Sequence, residues 1–305
     1  MKRAVVLGII LLVGLAGGAL WYFRTSNTRL TPEPAIVAGM LPRTGHLPTR
    51  PRSVVIVIEE NKTYEQIVGH PERAPYINSL AKGGAVFTHS YGVAHPSQPN
   101  YFAIFAGATN RNGDNCPATG IATTAPNLAS ELLAAHHTFR AYAEDLPAAG
   151  YLGCKSGEYV RKHAPWTHFT NIPATVAVPF STLQTYDSLP SVAFLIPNLL
   201  GDMHSASIQR GDAWLKTHVD PLVRWAAKHD TLIVLTWDES DTPAGNHIPT
   251  IFVGPMVKPG RYDEEIDHYR VLRTLEELFA LPHAGMAGAV APITDVWTVP
   301  SAAAK

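Results

Sequence analysis

The chain has 305 residues, 46% hydrophobic and 16% charged, which is too apolar for a disordered segment and long enough for a large core. Lys+Arg 24 against Asp+Glu 25 leaves a net charge of -1, without the basic excess of a protein whose main partner is nucleic acid. Two cysteines exclude a disulfide-rich mini-protein and a four-thiolate zinc module; a Walker A loop, an H-E-x-x-H helix and a G-x-S-x-G elbow are absent too.

In chain order, Lys2 and Arg3 precede an uncharged, mostly apolar run from Ala4 to Phe23, which Arg24 ends. As a helix this run of about 20 residues spans about 30 Å, roughly the hydrocarbon thickness of a bilayer. Residues 1–24 are predicted as an apolar N-terminal helix acting as a signal-anchor, with Trp21, Tyr22 and Phe23 as an interfacial belt. Gly17-Gly18-Ala19 leaves a cleaved signal peptide open. A buried helix of the globular domain is the remaining alternative; on the two export readings the body is periplasmic or outward-facing on a membrane anchor, and secreted if the segment is cleaved. Residues 25–52, interrupted by Pro32, Pro34, Pro42, Pro48 and Pro51, read as a linker. In an oxidising compartment Cys116 and Cys154 make sense as one disulfide; two separate buried thiols remain the alternative.

The body, residues 53–300, alternates strands and helices. Strands are predicted at Val54–Ile58, Val86–His89, Phe139–Tyr142, Val192–Ile196, Leu232–Trp237 and Thr250–Val253. Helices are predicted at Asn78–Lys82, Asn127–Ala135, Ser207–His229 and Tyr269–Ala280. This order implies an α/β fold, a mostly parallel sheet with helices on both faces. Such a sheet carries its functional groups at the carboxyl ends of its strands. Four polar clusters fall there: Glu59-Glu60-Asn61, His95 to Asn100, Asn198 with Asp202-Met203-His204, and Asp238 to Asp241.

Glu60 and Asn61 offer a carboxylate and an amide oxygen to a hard cation. The structural alternative is a helix N-cap by Asn61, and Asn61-Lys62-Thr63 is also a glycosylation sequon. Asp238 and Glu239 follow a very apolar strand, where buried acids are costly unless paired or metal-bound. Three converging carboxylates repel one another, and one divalent cation offsets that. Ser97 leads into an apolar segment, so it is either an ordinary N-cap or a nucleophile at a helix N-terminus. His204 and, after it, His247 are the candidates for contacting phosphate or protonating a leaving oxygen; His95 is a third polar-context histidine.

The run Val57-Ile-Glu-Glu-Asn-Lys-Thr-Tyr64 resembles the opening motif of the bacterial phosphoesterase family, which joins acid phosphatases and phosphatidylcholine-type phospholipases C. His95-Pro-Ser-Gln-Pro-Asn-Tyr101 is similar to its nucleophile segment. Asp202 to Ser205, Gly211 to Leu215, Thr236 to Asp241 and Asn246 to Thr250 resemble its later motifs in the same order. The resemblance implies an alkaline-phosphatase-like fold and a metal-dependent phosphoesterase. It implies Glu60, Asn61, Ser97, Asp238 and Glu239 as ligands of one divalent metal ion, and Ser97 as the nucleophile that becomes phosphorylated. It implies His204 and His247 as groups on the phosphate or the leaving group. Glutamate at position 239, where some acid phosphatases carry aspartate, alters the reach of that ligand. The expected substrate is a small phosphate monoester. Alternatives are a phospholipase C or phosphodiesterase acting near the membrane, a non-catalytic surface protein of the same fold, and a metal-free serine esterase.

Overall fold

The β-branched runs assemble side by side. In the computed structural model, which describes residues 45–298 apart from 112, 243 and 244, they form one sheet of eight strands. Its members are β1 (Ser53–Glu59), β2 (Ala85–Tyr91), β3 (Phe139–Ala143), β6 (Ala177–Pro179), β7 (Val192–Ile196), β8 (Thr231–Trp237), β9 (Thr250–Val253) and β10 (Gly260–Asp267). The order across the sheet is β10-β2-β9-β8-β1-β7-β3-β6. All neighbours run parallel except β9, which is antiparallel to both β2 and β8. A hairpin of β4 (Lys155–Ser156) and β5 (Tyr159–Val160) stands apart.

All six predicted strands are present. The two further sheet strands lacked an apolar signal. β6 is only three residues long, and β10 reads Gly-Arg-Tyr-Asp-Glu-Glu-Ile-Asp because it is an edge strand that keeps Arg261, Asp263 and Glu265 in water. The N-terminal apolar segment and residues 25–44 of the expected linker lie outside the described residues. Leu47, at the far end of that expected linker, packs on the core. Among the described residues no helix is long and apolar enough to cross a membrane.

Seven α-helices cover the sheet among the described residues: α1 (Tyr64–Ile67), α2 (Pro75–Gly83), α3 (Ser97–Ala106), α4 (Leu128–Ala134), α5 (Ile208–His218), α6 (Asp220–Ala226) and α7 (His268–Leu278). Alternate residues of β1 feed two cores. Val54, Ile56 and Ile58 pack with α3, α4 and α7 on one face; Val55 and Val57 pack with α1, α2, α5 and α6 on the other. The predicted helix 207–229 is two helices. Pro221 has no N–H to give the preceding turn and its ring would crowd the Thr217 carbonyl, so the chain breaks at Val219. Thr63, not Asn61, caps α1, in a reciprocal box with Gln66. Asp212 on α5 caps α2 from a distance, accepting the N–H groups of Tyr76 and Ile77 at 3.1 and 2.8 Å. Cys116 and Cys154 form a disulfide, as an oxidising compartment permits.

Away from the strand ends, Glu131 on α4 and Glu276 on α7 are both buried, and each keeps one Oε2 without a hydrogen-bond partner. Burial pushes the Glu276 carboxyl up to about 8; the Ala284 N–H it accepts pulls it down, and the Glu131 charge adds to the rise. Burial pushes Glu131 up to about 7. Between 4.5, the ordinary carboxyl value, and about 8, folded Glu276 keeps a proton that the unfolded chain has released. Stability therefore falls as pH rises through that window, by on the order of 5 kcal/mol for this group. Glu276→Gln keeps the acceptor for Ala284 and removes the titration. Denaturant melts at pH 5 and pH 8 should show the variant losing far less stability than wild type over that interval; equal losses would rule out Glu276 as the source.

Candidate active site

The parallel pairing of β1 with β8 places Glu59 opposite Trp237, so the next residues, Glu60 and Asp238, leave the sheet side by side. Asp238 N–H donates to the Glu59 carbonyl at 2.9 Å, and Glu60 N–H donates to the Asp202 carbonyl at 2.7 Å. Asn61 then turns with a positive φ of 54°. This backbone aims its N–H at Asp238 Oδ1, 3.2 Å away, and its Nδ2 at Glu60 Oε2, 2.9 Å away. The 61–63 sequon is therefore folded into the site, and Lys62 Nζ ties it down through the carbonyls of Asn61 and Met203 at 2.7 and 3.2 Å.

Ser97 is the first residue of α3, with Pro96 as the cap residue and no side-chain cap bond. Its hydroxyl is buried and lies 2.9 Å from Glu60 Oε2 and 3.2 Å from Glu239 Oε1. It is thus not an N-cap: the hydroxyl donates to carboxylates rather than accepting from its own helix. Glu239 reaches this point while His95 Nδ1 closes on its other oxygen, Oε2. Glu60, Asn61, Ser97, Asp238 and Glu239, far apart in sequence, therefore share one place at the carboxyl edge of the sheet.

Electrostatics divide the carboxyls. Burial alone would raise Glu60, but the His163 imidazolium, then Lys162 and the Tyr101 hydroxyl, hold it down at about 2. Burial and the charges of Glu60 and Glu239 push Asp238 far above the carboxylate range. Burial, with Glu60 adding to it, lifts Glu239 to about 8. Asp238 Oδ2 is buried with no hydrogen-bond partner. Crowded carboxyls, an orphaned oxygen, an amide and a hydroxyl make a hard-oxygen donor set, and such a set fits a divalent cation.

Sequence reasoning missed several groups. His163 is buried between two carboxylates, with Nε2 3.0 Å from Glu60 Oε1 and Nδ1 3.3 Å from Asp202 Oδ2, and it stacks on Tyr101. Tyr101 OH donates to Glu60 Oε1 at 2.7 Å. Glu60, His163 and Asp202 offer ligand atoms within 4.8 Å of one another, a second buried group that could hold a metal ion. Burial opposes charging His163, yet Glu60 and Asp202 raise it to about 9, so among these carboxylates the ring is itself the cation. His268, buried and lowered to about 4 by burial, places its Nε2 2.6 Å from the Asp238 carbonyl and so steadies that backbone. The signal available was Arg161-Lys162-His163, a run of three consecutive basic residues.

The histidines separate. His204 stays at the mouth: its N–H donates to Asp202 Oδ1 at 2.8 Å, and its exposed ring has Nε2 3.3 Å from Lys162 Nζ. His247 does not join the cluster. Its Nδ1 lies 2.6 Å from Glu65 and its Nε2 3.0 Å from the Thr88 carbonyl, and the ring stacks on Tyr64. Its neighbour Asn246 points to the site edge instead, accepting Ser240 N–H at 2.8 Å and donating to the Ala94 carbonyl at 3.0 Å.

Known proteins resemble this chain to different depths. The chain is 47% identical over 270 residues to the phosphatidylinositol-3-phosphatase of Mycobacterium tuberculosis, covering 87% of each chain. It is 32% identical over 229 residues to the phosphate-repressible acid phosphatase of Penicillium chrysogenum, covering 68% of this chain and 55% of that protein. Among solved structures, an alkaline phosphatase superfamily protein from Vibrio parahaemolyticus superposes with a TM-score of 0.53 at 15% identity, over 77% of this chain and 67% of that one. The lipoteichoic acid synthase LtaP of Listeria monocytogenes superposes at 0.54 with 10% identity, over 78% of this chain and 76% of that one. These two likenesses speak for the fold alone. The model of the Phosphoesterase family matches residues 70–282, which hold Ser97, Asp238 and Glu239. With most of the body inside that match and a 47% relative along nearly its full length, the chain belongs to the Phosphoesterase family and is a hydrolase of phosphoric ester bonds.

Proposed function

We propose that the protein is an exported, metal-dependent phosphatase that hydrolyses phosphate monoesters through a phosphoserine. The observation that carries this is the buried Ser97 hydroxyl at a helix N-terminus, held at 2.9 Å by the ionised Glu60 and at 3.2 Å by Glu239. Ser97 Oγ attacks phosphorus in line as its proton passes into the Glu60–Glu239 carboxylate pair that holds it. The N–H groups opening α3 face the charge that grows on the phosphoryl oxygens. His204, exposed at the mouth, protonates the leaving oxygen. Water then cleaves the Ser97–phosphate bond, giving its proton to the His204 ring left neutral by the first step, and the carboxylate pair returns the serine proton to Oγ. Glu60, Asn61, Ser97, Asp238 and Glu239 would hold one divalent cation, which when bound lowers the serine's pKa and screens the carboxylates. His247, anchored between Glu65 and Thr88, has a supporting part: it fixes the strand entry that presents Asn246 to the site.

The 47% relative is named for a monoester on a lipid headgroup, which favours monoesters over the diesters a phospholipase C cleaves. Rates on p-nitrophenyl phosphate and phosphatidylinositol 3-phosphate should exceed those on bis-p-nitrophenyl phosphate and a choline phospholipid by about a hundredfold or more. Faster release from the diesters would replace this assignment with a phospholipase C or phosphodiesterase.

A further inference from the structure

We propose that Lys162 is the binding residue for the substrate's phosphoryl oxygens, and that the Asp114 carboxylate occupies their place until substrate displaces it. The proposal rests on the phosphomonoesterase reading of the Ser97 site. Asp114 bridges two donors. Its Oδ1 accepts the backbone N–H of Gln98 at 2.9 Å, and its Oδ2 accepts from Lys162 Nζ at 2.7 Å. Gln98 follows Ser97 in the first turn of α3, so this N–H stands beside the nucleophile. A planar anion with one oxygen on a helix N-terminal N–H and the other on an ammonium has the contacts that two non-bridging phosphoryl oxygens require.

Lys162 Nζ also lies 3.3 Å from His204 Nε2, so two nitrogens stand side by side at the mouth. Lys162 is only 17% exposed at its side chain, and the charges of Glu60 and Asp238 act on it. A lysine needed merely for solubility would not be held in this acidic pocket. Asp114 is more open, 30% exposed, on the loop that the Cys116–Cys154 disulfide fastens. It can therefore swing outward without unpacking a core. An arriving phosphoryl group carries more charge than a carboxylate and wins both donors.

Competitive inhibition by inorganic phosphate, with p-nitrophenyl phosphate as substrate, tests this on the whole protein. Lys162→Met should raise the inhibition constant and KM by about ten- to a hundredfold, with Lys162→Arg restoring most of the loss. Asp114→Asn, which removes the competing charge, should lower the phosphate inhibition constant several-fold. If Asp114 served only to position Lys162, that variant would instead weaken phosphate binding, and the displacement proposal would be overturned. An inhibition constant within twofold of wild type in Lys162→Met would overturn the assignment of Lys162. Should Lys162→Met fail to fold, the direction of the Asp114→Asn change decides. A Ser97→Ala protein that still turned over would sink the phosphoserine reading alone, because the phosphate constants are measured on proteins that keep Ser97.

Discussion

Ser97→Ala will lower kcat on p-nitrophenyl phosphate by three orders of magnitude or more, roughly the loss seen when a covalent nucleophile is removed. The fold should survive. The hydroxyl is one small group at the start of α3, and its loss frees Glu60 Oε2 and Glu239 Oε1 without opening a large cavity. Glu60 retains Asn61, Tyr101 and His163 as partners. The melting temperature should therefore stay close to that of wild type while turnover collapses. Trapping with labelled substrate and acid quench should yield a phosphoprotein from wild type and none from the variant. Normal turnover by the alanine protein would move the nucleophile elsewhere.

Asp238→Asn carries the second large effect, with opposite signs in two buffers. In chelator the wild-type protein holds a buried Asp238 whose Oδ2 lacks any partner, beside Glu60 and Glu239. Replacing it with an amide relieves that crowding, so the variant should melt at or above wild type. With a divalent cation the order reverses. Wild type gains about 3 kcal/mol at a cation concentration a hundred times its dissociation constant, and the variant gains little. Elemental analysis should find less cation on the variant, and kcat/KM should fall by about a hundredfold or more. Unchanged stoichiometry with unchanged activity would remove Asp238 from the donor set.

Much of this architecture was visible in the order of residues. β1, β7 and β8 are fully buried and read as continuous apolar runs because a parallel sheet hides both faces. The acids Glu60, Asp238 and Glu239 stood out for the same reason: charge following directly on such a run has nowhere to go but the strand mouth. Ser97 was legible only through its neighbours, since nothing in a Pro-Ser-Gln-Pro string distinguishes a cap from a nucleophile. What could not be read came from segments without period. Lys162 and His163 lie in a 3-10 turn, and Asp114 in a loop, so no spacing rule ties them to Ser97. Tyr101 was hidden by its apolar surroundings, although its hydroxyl points to Glu60. His247 misled because polar context marks exposure as readily as chemistry; its ring is spent on Glu65 and Thr88.

The Cys116–Cys154 bond lies just beyond Asp114 on one arm and shortly before Lys162 on the other. The mouth is thus a rim riveted at one corner and latched by a single ion pair nearby. A chain kept among cytosolic thiols would carry the latch without the rivet, and its grip on phosphate would slacken while the carboxylate floor beneath stayed intact. Purification under strong reductant would then report a weaker enzyme than the disulfide-bonded one, with the deficit showing in KM before it showed in kcat.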